Sequence, residues 1–212
     1  MQFKIRQQVF HLSAEKAMYW ENTKTLLLAD MHLSKETHFR KHGIAVPDGI
    51  TKHNFQRLTT LIEIFSPERI IVIGDLFHST ENASLALFKQ WKETFPKIPF
   101  QLISGNHDIL ETSLYDALDI ELIGETFLQN GISLTHHPPK STDESYVICG
   151  HIHPAIRLSG KAKQSLRLPC FWFGNSYAVM PAFGGFTGMK TIQAEKTDIV
   201  FAVAENEIIQ VQ

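Results

Sequence analysis

The amino-acid sequence predicts an α/β domain built on two β-sheets, and three observations carry that reading. Short, mostly apolar runs rich in Ile, Val and Leu recur between residues 25 and 149. Segments with apolar residues at helical spacing separate the first of these runs. The last forty residues change character, with strand-like runs divided by glycine or polar turns. Apolar runs separated by helices suit a sheet buried on both faces, whereas strands joined by tight turns suit an antiparallel one.

Taken in order, Thr25–Ala29 reads as the first buried strand. Phe55, Leu58, Leu61, Ile62 and Phe65 then line one face of a helix that stops before Ser66-Pro67, because the residue preceding proline is pushed out of helical geometry. Arg69–Ile73 is the second strand. Leu85, Phe88, Trp91 and Phe95 mark a second helix, ended by Pro96. Phe100–Ile103, Gly131–Thr135 and Tyr146–Cys149 follow as strands. The tail runs 170–173, 177–180, 199–203 and 207–211 are expected to make a largely antiparallel second sheet.

Composition bounds the rest. The chain has 212 residues, 43% hydrophobic and 20% charged, which suits one domain over residues 1–212 and excludes a disordered segment or a helical membrane protein. The N-terminus lacks the apolar core of a signal peptide, and the two cysteines, Cys149 and Cys170, are too few for a disulfide framework, so the cytoplasm is the expected compartment. A net charge of -2 excludes a globally basic nucleic-acid coat and leaves room for a local basic patch.

Histidine, with 11 copies, is informative through its positions. Asp30-Met-His32 follows the first strand, Gly74-Asp75 with His78 the second, and Gly105-Asn106-His107-Asp108 the third. His136-His137 follows the fourth, and Gly150-His151-Ile-His153 the fifth. Singly, such groups are common turns and helix caps. Five strands of one sheet each ending in a metal-competent residue is a different matter, because ligands of open α/β sheets bind at the C-terminal strand ends. Carboxylate, carboxamide and imidazole without thiolate suit Mn²⁺, Fe or Zn²⁺. Seven donors exceed the needs of one catalytic ion, whereas two ions sharing a carboxylate would use them all.

Asp30-x-His32, Gly74-Asp75, Gly105-Asn106-His107-Asp108, a histidine at 136 and Gly150-His151-x-His153 resemble, in order, the five signature blocks of the calcineurin-like metallophosphoesterase superfamily. The resemblance implies a four-layer α/β/β/α sandwich of two mixed sheets. It implies one metal on Asp30, His32 and His153, another on Asn106, His136 and His151, and Asp75 bridging. The doubled histidine leaves both His136 and His137 open at the fourth block, and His136 is taken. A narrower likeness runs through Ala17–Trp20, Leu28–Leu33, Phe39-Arg40, Gly43–Pro47, His151–Ala155, Leu168–Phe171 and Met180–Gly188. These segments are similar to the bacterial ligase-associated DNA-damage-response endonuclease. That likeness implies DNA as substrate and a repair ligase or helicase as partner. A similarity to the metallophosphoesterase nucleases of recombination places His78 near the scissile phosphate, with a helix-capping role as its alternative.

Two such ions, most suitably Mn²⁺, would generate a bridging hydroxide as nucleophile. His107 is the candidate proton donor to the leaving alkoxide, with Asp108 fixing its ring or capping the following helix. Lys35, Arg40, Lys41, Lys52 and Arg57, and then Arg157, Lys161, Lys163 and Arg167, follow metal-binding blocks and would form a basic rim for a polyanion. Arg40 stands close enough to its block to reach the scissile phosphate. Phe171, Trp172 and Phe173 could stack bases but read more readily as core. A phosphodiesterase or pyrophosphatase for small nucleotides is the alternative enzyme, and a metal-free scaffold the alternative outside enzymes.

Overall fold

The structure, a computed structural model, describes residues 1–35, 39, 46, 49–78, 82–141, 144–160 and 164–212. Its first sheet has seven strands in sequence order: β1 (Gln2–Ile5), β2 (Gln8–Ser13), β3 (Ala17–Trp20), β4 (Thr25–Ala29), β5 (Arg69–Ile73), β6 (Phe100–Ile103) and β7 (Ile120–Leu122). The first four run antiparallel through tight turns, and β4 to β7 run parallel. Helices α1 (Ile50–Phe65), α2 (Asn82–Lys92) and α3 (Thr112–Ala117) make the crossovers between the parallel strands.

The period of two in these strands sorts their side chains cleanly. Leu26, Leu28, Ile70, Val72, Phe100 and Leu102 face the helices, where they meet Phe55, Leu58 and Leu61 of α1, Phe88 of α2 and Tyr115 of α3. Leu27, Ala29, Ile71, Ile73 and Ile103 face the second sheet. That sheet joins β8 (Thr126–Gln129), β9 (Ile132–Thr135), β10 (Tyr146–Cys149), β11 (Pro154–Ser159), β12 (Ser165–Phe173), β13 (Tyr177–Val179), β14 (Lys190–Thr191), β15 (Ile199–Ala204) and β16 (Glu207–Gln210). It is mixed: β9, β10 and β13 are parallel neighbours, while β12 runs antiparallel to β11, β13 and β15. The expected antiparallel tail therefore holds where β12 meets β13 and β15 and where β15 meets β16, and gives way where β13 joins β10 and β14 joins β11, both parallel.

Ile132, Leu134, Ile148, Phe171, Phe173, Met180 and Phe201 fill the space between the sheets. Phe171 and Phe173 are thus core, and Trp172, on the opposite face, packs against Tyr177 and donates its indole N–H to Asp198 at 2.9 Å. Phe171 and Phe173 therefore offer no base-stacking surface, and Trp172 is partly buried against its own sheet. The outer face of the second sheet is covered by a small cluster, Val147, Cys149 and Val179 with Ile152, Trp172 and Tyr177, and by no helix among the described residues. Neither cysteine is paired, and none of the helices among the described residues is long and apolar enough to cross a membrane.

Candidate metal centre

Parallel neighbours end at the same level, so β4, β5 and β6 deliver residues 30–32, 74–75 and 105–108 side by side. Backbone bonds past the strand ends hold the first two segments together: Asp30 N–H donates to Gly74 O at 3.2 Å, His32 N–H to Asp75 O at 2.9 Å and Leu33 N–H to Leu76 O at 2.9 Å. The ends of β9 and β10 supply His136 and residues 151–153 from the facing sheet, tied by Gly150 N–H to His136 O at 3.1 Å.

Three glycines let these tips meet. A Cβ on Gly74 would lie 2.1 Å from His136 Nδ1, on Gly105 2.3 Å from Asp75 Oδ1, and on Gly150 2.5 Å from Asp30 Oδ2. Each glycine of the Gly-Asp, Gly-Asn and Gly-His blocks is therefore a gap filled by a neighbouring donor. The backbone is also unusual. Asp30, His32, Asp75, His151 and His153 all have positive φ, between 46° and 66°, a region L-residues enter at a cost.

The donor atoms form two groups. In the first, His32 Nε2 and His153 Nε2 are 3.3 Å apart, and His153 Nε2 is 3.3 Å from Asp30 Oδ1. In the second, His136 Nε2 lies 3.1 Å from Asn106 Oδ1 and 3.2 Å from His151 Nδ1. Asp75 belongs to both, with Oδ2 3.7 Å from His32 Nε2 and Oδ1 3.5 Å from His136 Nε2. Donors about 2.0–2.2 Å from a common ion stand roughly 3.0–3.5 Å from one another, so these spacings fit the edges of two coordination shells.

The ring tautomers agree. A carbonyl can only accept, so His136 Nδ1, 3.2 Å from Ile73 O, and His153 Nδ1, 3.1 Å from Gly188 O, carry protons, and both Nε2 atoms turn lone pairs inward. Burial, helped by Lys35 and the neighbouring histidines, holds the His32 pKa far below that of ordinary imidazole. Burial and then His136 and His137 lower that of His151 as well. Rings kept neutral in this way are ready to accept metal ions.

Asp108 departs from its expected role. Its carboxylate accepts the backbone N–H groups of Asp75 at 2.7 Å, Leu76 at 2.9 Å, Phe77 at 3.3 Å and Gly105 at 2.9 Å. It neither fixes the His107 ring nor caps a helix, since α3 begins at Thr112 after Glu111. Burial pushes its pKa up to about 6 against the pull of those N–H bonds. His107 donates its backbone N–H to Asp75 Oδ1 at 2.9 Å, and its ring stands 4.7 Å from that of His78 and 5.5 Å from that of His32. His78 thus sits at the rim of the centre.

His137 is exposed, and its ring lies 4.3 Å from that of His151, so both members of the histidine doublet face the second group. Arg57 is no part of a basic rim. It is bound to Glu15, donates to Phe183 O at 2.8 Å and covers the Phe183 ring. Arg157 and Arg167 are exposed and directly opposed in the β11–β12 pair. Arg40, Lys41, Lys161 and Lys163, and the endonuclease-like segment 43–45 with Pro47, lie outside the described residues.

Residues 23–153, the stretch that carries every one of these donors, match the family model for the calcineurin-like phosphoesterase. The chain belongs to the calcineurin-like phosphoesterase family. The phosphoesterase is similar over its whole length to the crystal structure of Pseudomonas putida nuclease MPE, with 28% identity, a TM-score of 0.85 and coverage of 100% of this chain and 99% of that one. It also aligns with a phosphoesterase from E. coli, Yfce, at 14% identity and a TM-score of 0.46, covering 88% of this chain and 97% of that one. None of the curated proteins matches it. Family and site together make the phosphoesterase a metal-dependent hydrolase.

Proposed function

We propose that this protein is a DNA endonuclease of DNA repair, hydrolysing phosphodiester bonds in the cytoplasm with two divalent ions, Mn²⁺ foremost. The observation that carries the reading is the sharing of Asp75 between two donor groups whose spacing suits a pair of ions. The ligands would be Asp30, His32 and His153 on one side, Asn106, His136 and His151 on the other, with Asp75 common to both. Bound there, two dications would supply hydroxide at neutral pH and neutralise charge on the phosphoryl group.

The chain's own residues do the rest. Asp108 holds the turn that aims Asp75. His107, at the rim and unattached to Asp108, releases a ring proton to the departing alkoxide. His78 stands beside it where a phosphate oxygen would pass.

Two features favour DNA. One is the full-length similarity to a protein described as a nuclease. The other is the Arg157–Arg167 pair: like charges directly opposite one another destabilise a sheet, and a phosphate between them would remove the repulsion. Lys52, exposed on α1, and Arg40, Lys41, Lys161 and Lys163 belong to the same reading. A repair ligase or helicase as partner rests on the ligase-associated likeness alone.

The test is metal-stripped protein, reloaded with Mn²⁺, Mg²⁺, Fe²⁺ or Zn²⁺ and assayed on single-stranded DNA, duplex DNA and bis(p-nitrophenyl) phosphate. DNA should be cut, with Mn²⁺ ahead of Mg²⁺, because Mg²⁺ makes poor use of imidazole. Hydrolysis of the aryl diester with no cutting of either DNA would favour a small-nucleotide enzyme.

A further inference from the structure

Among the described residues, two cavities flank the metal centre. One of about 510 Å³ is lined by Asn106, His136 and His137, on the side of the second donor group. The other, about 230 Å³, adjoins His153 of the first group. A wider depression of about 990 Å³, beside Arg6, Asn130 and Glu144, holds no residue of the centre.

The smaller cavity has an unusual lining. Lys16, in the turn between β2 and β3, is half-buried and lines it, donating from Nζ to Gly184 O at 3.2 Å. Among the described residues, no carboxylate lines the cavity and none lies within ion-pair distance of Lys16. Its neighbour Glu15 is engaged by Arg57. Thr187, Gly188 and Met189 form another wall, and among the described residues no acceptor takes their backbone N–H groups. Among the described residues, an ammonium without a counterion and a run of N–H groups with no protein acceptor border one hollow, and such a setting suits an anion. The volume falls below that of a pocket for a whole drug-sized ligand, so it suits a phosphate with its sugar.

We propose that Lys16 and the Thr187–Met189 segment form a binding subsite for a second backbone phosphate of the nucleic-acid substrate, the one adjoining the scissile phosphate on the His153 side. This rests on the nuclease reading above and adds to it a reason for preferring a chain of phosphates over an isolated diester. The electrostatics agree, for burial and then Arg57 lower the Lys16 pKa to about 8, with Glu15 opposing. An arriving phosphate would meet a cation that is still charged at neutral pH and poorly compensated.

The experiment uses the metal-loaded full chain and a single-stranded oligonucleotide with one cleavable linkage, either all-phosphate or with neutral methylphosphonates flanking that linkage. Removing the flanking charge should raise KM about tenfold with the parent protein, as expected for loss of a charge-assisted hydrogen bond. Lys16→Met should raise KM for the all-phosphate strand by a similar factor and lower the salt dependence of KM by about one counterion. Lys16→Arg should restore much of it, and the two losses should not add. Equal KM for both strands with the parent, which requires no variant to fold, would overturn the subsite while leaving the nuclease intact. Additive losses would also overturn it. A parent that hydrolyses bis(p-nitrophenyl) phosphate and cuts neither strand would remove the nuclease reading, and the subsite with it.

Discussion

Asp75 and Asp108 show how one residue type divides its labour by environment. Asp75 turns both oxygens toward histidine nitrogens of the two donor groups, whereas Asp108 spends its oxygens on four backbone N–H groups around the same turn. Asp75→Ala should abolish hydrolysis and lower metal content at both positions, read by elemental analysis alongside activity. His107→Ala should keep its metals and lose kcat, more on DNA than on an aryl diester whose leaving group needs no proton. Equal losses on the two substrates would contradict a proton-donor role. Asp108→Asn would turn an amide N–H₂ toward donors it cannot accept from. Chemical denaturation of the metal-free protein should show a loss of about 2–4 kcal/mol. A variant as stable as the parent would mean the clamp is not needed to hold the turn.

Among the elements, the strand tips were legible in the sequence and the strand-to-strand traffic was not. The donors at 30, 32, 75, 106, 136, 151 and 153 could be seen because apolar runs end abruptly in Asp, Asn or His, and the structure gathers all of them. β4, β5, β6 and β10 fall where their apolar runs place them, and α1 stops before Pro67 as expected. By contrast, α2 ends at Lys92, short of Phe95, where Thr94 and Phe95 enter turns bonded to Trp91 and Lys92. β11 and the first half of β12 carry exposed Arg157, Leu166 and Arg167, and a polar, solvated hairpin leaves no apolar run to find. Asp108 was misread for a related reason, since spacing cannot say whether a carboxylate meets a ring or backbone amides.

Two tests belong to this scale. Gly150→Ala should displace Asp30 by steric contact alone and cut metal content several-fold, measured with the same protein's circular dichroism as control for folding. Full metal occupancy in that variant would show that the tip can give way. Neutralising Arg157 and Arg167 together should weaken DNA binding and lower the slope of its logarithm against log salt by about two. An unchanged slope would mean the hairpin faces away from the DNA.

At the scale of the molecule, the centre is a seam. Four of its donors, Asp30, His32, Asp75 and Asn106, come from the first sheet or its crossovers, with His107 beside them, and three, His136, His151 and His153, come from the second. Ions bound across that seam would hold the two sheets together as well as serve chemistry. At a hundredfold excess over Kd, linkage supplies about 2.7 kcal/mol per ion, so chelation should lower Tm by roughly 5–10 °C for one tightly held ion and more for two. Calorimetry with and without chelator checks this, and identical melting would show that the seam closes on apolar contact alone. That contact is considerable, since Leu27, Ile71, Ile148 and Phe171 meet there fully buried, and truncating any one to Ala typically costs about 2–5 kcal/mol.

The left-handed backbone at Asp30, His32, Asp75, His151 and His153 carries a further consequence for how such a protein can change. Each of these turns would be more comfortable with glycine or asparagine, so drift toward a sturdier fold runs toward losing the proposed ligands one at a time. Stability and activity are opposed at the same five positions. A lineage released from selection for hydrolysis would therefore be expected to keep its sheets and shed its histidines, with the strain in the strand tips favouring that outcome from the first substitution.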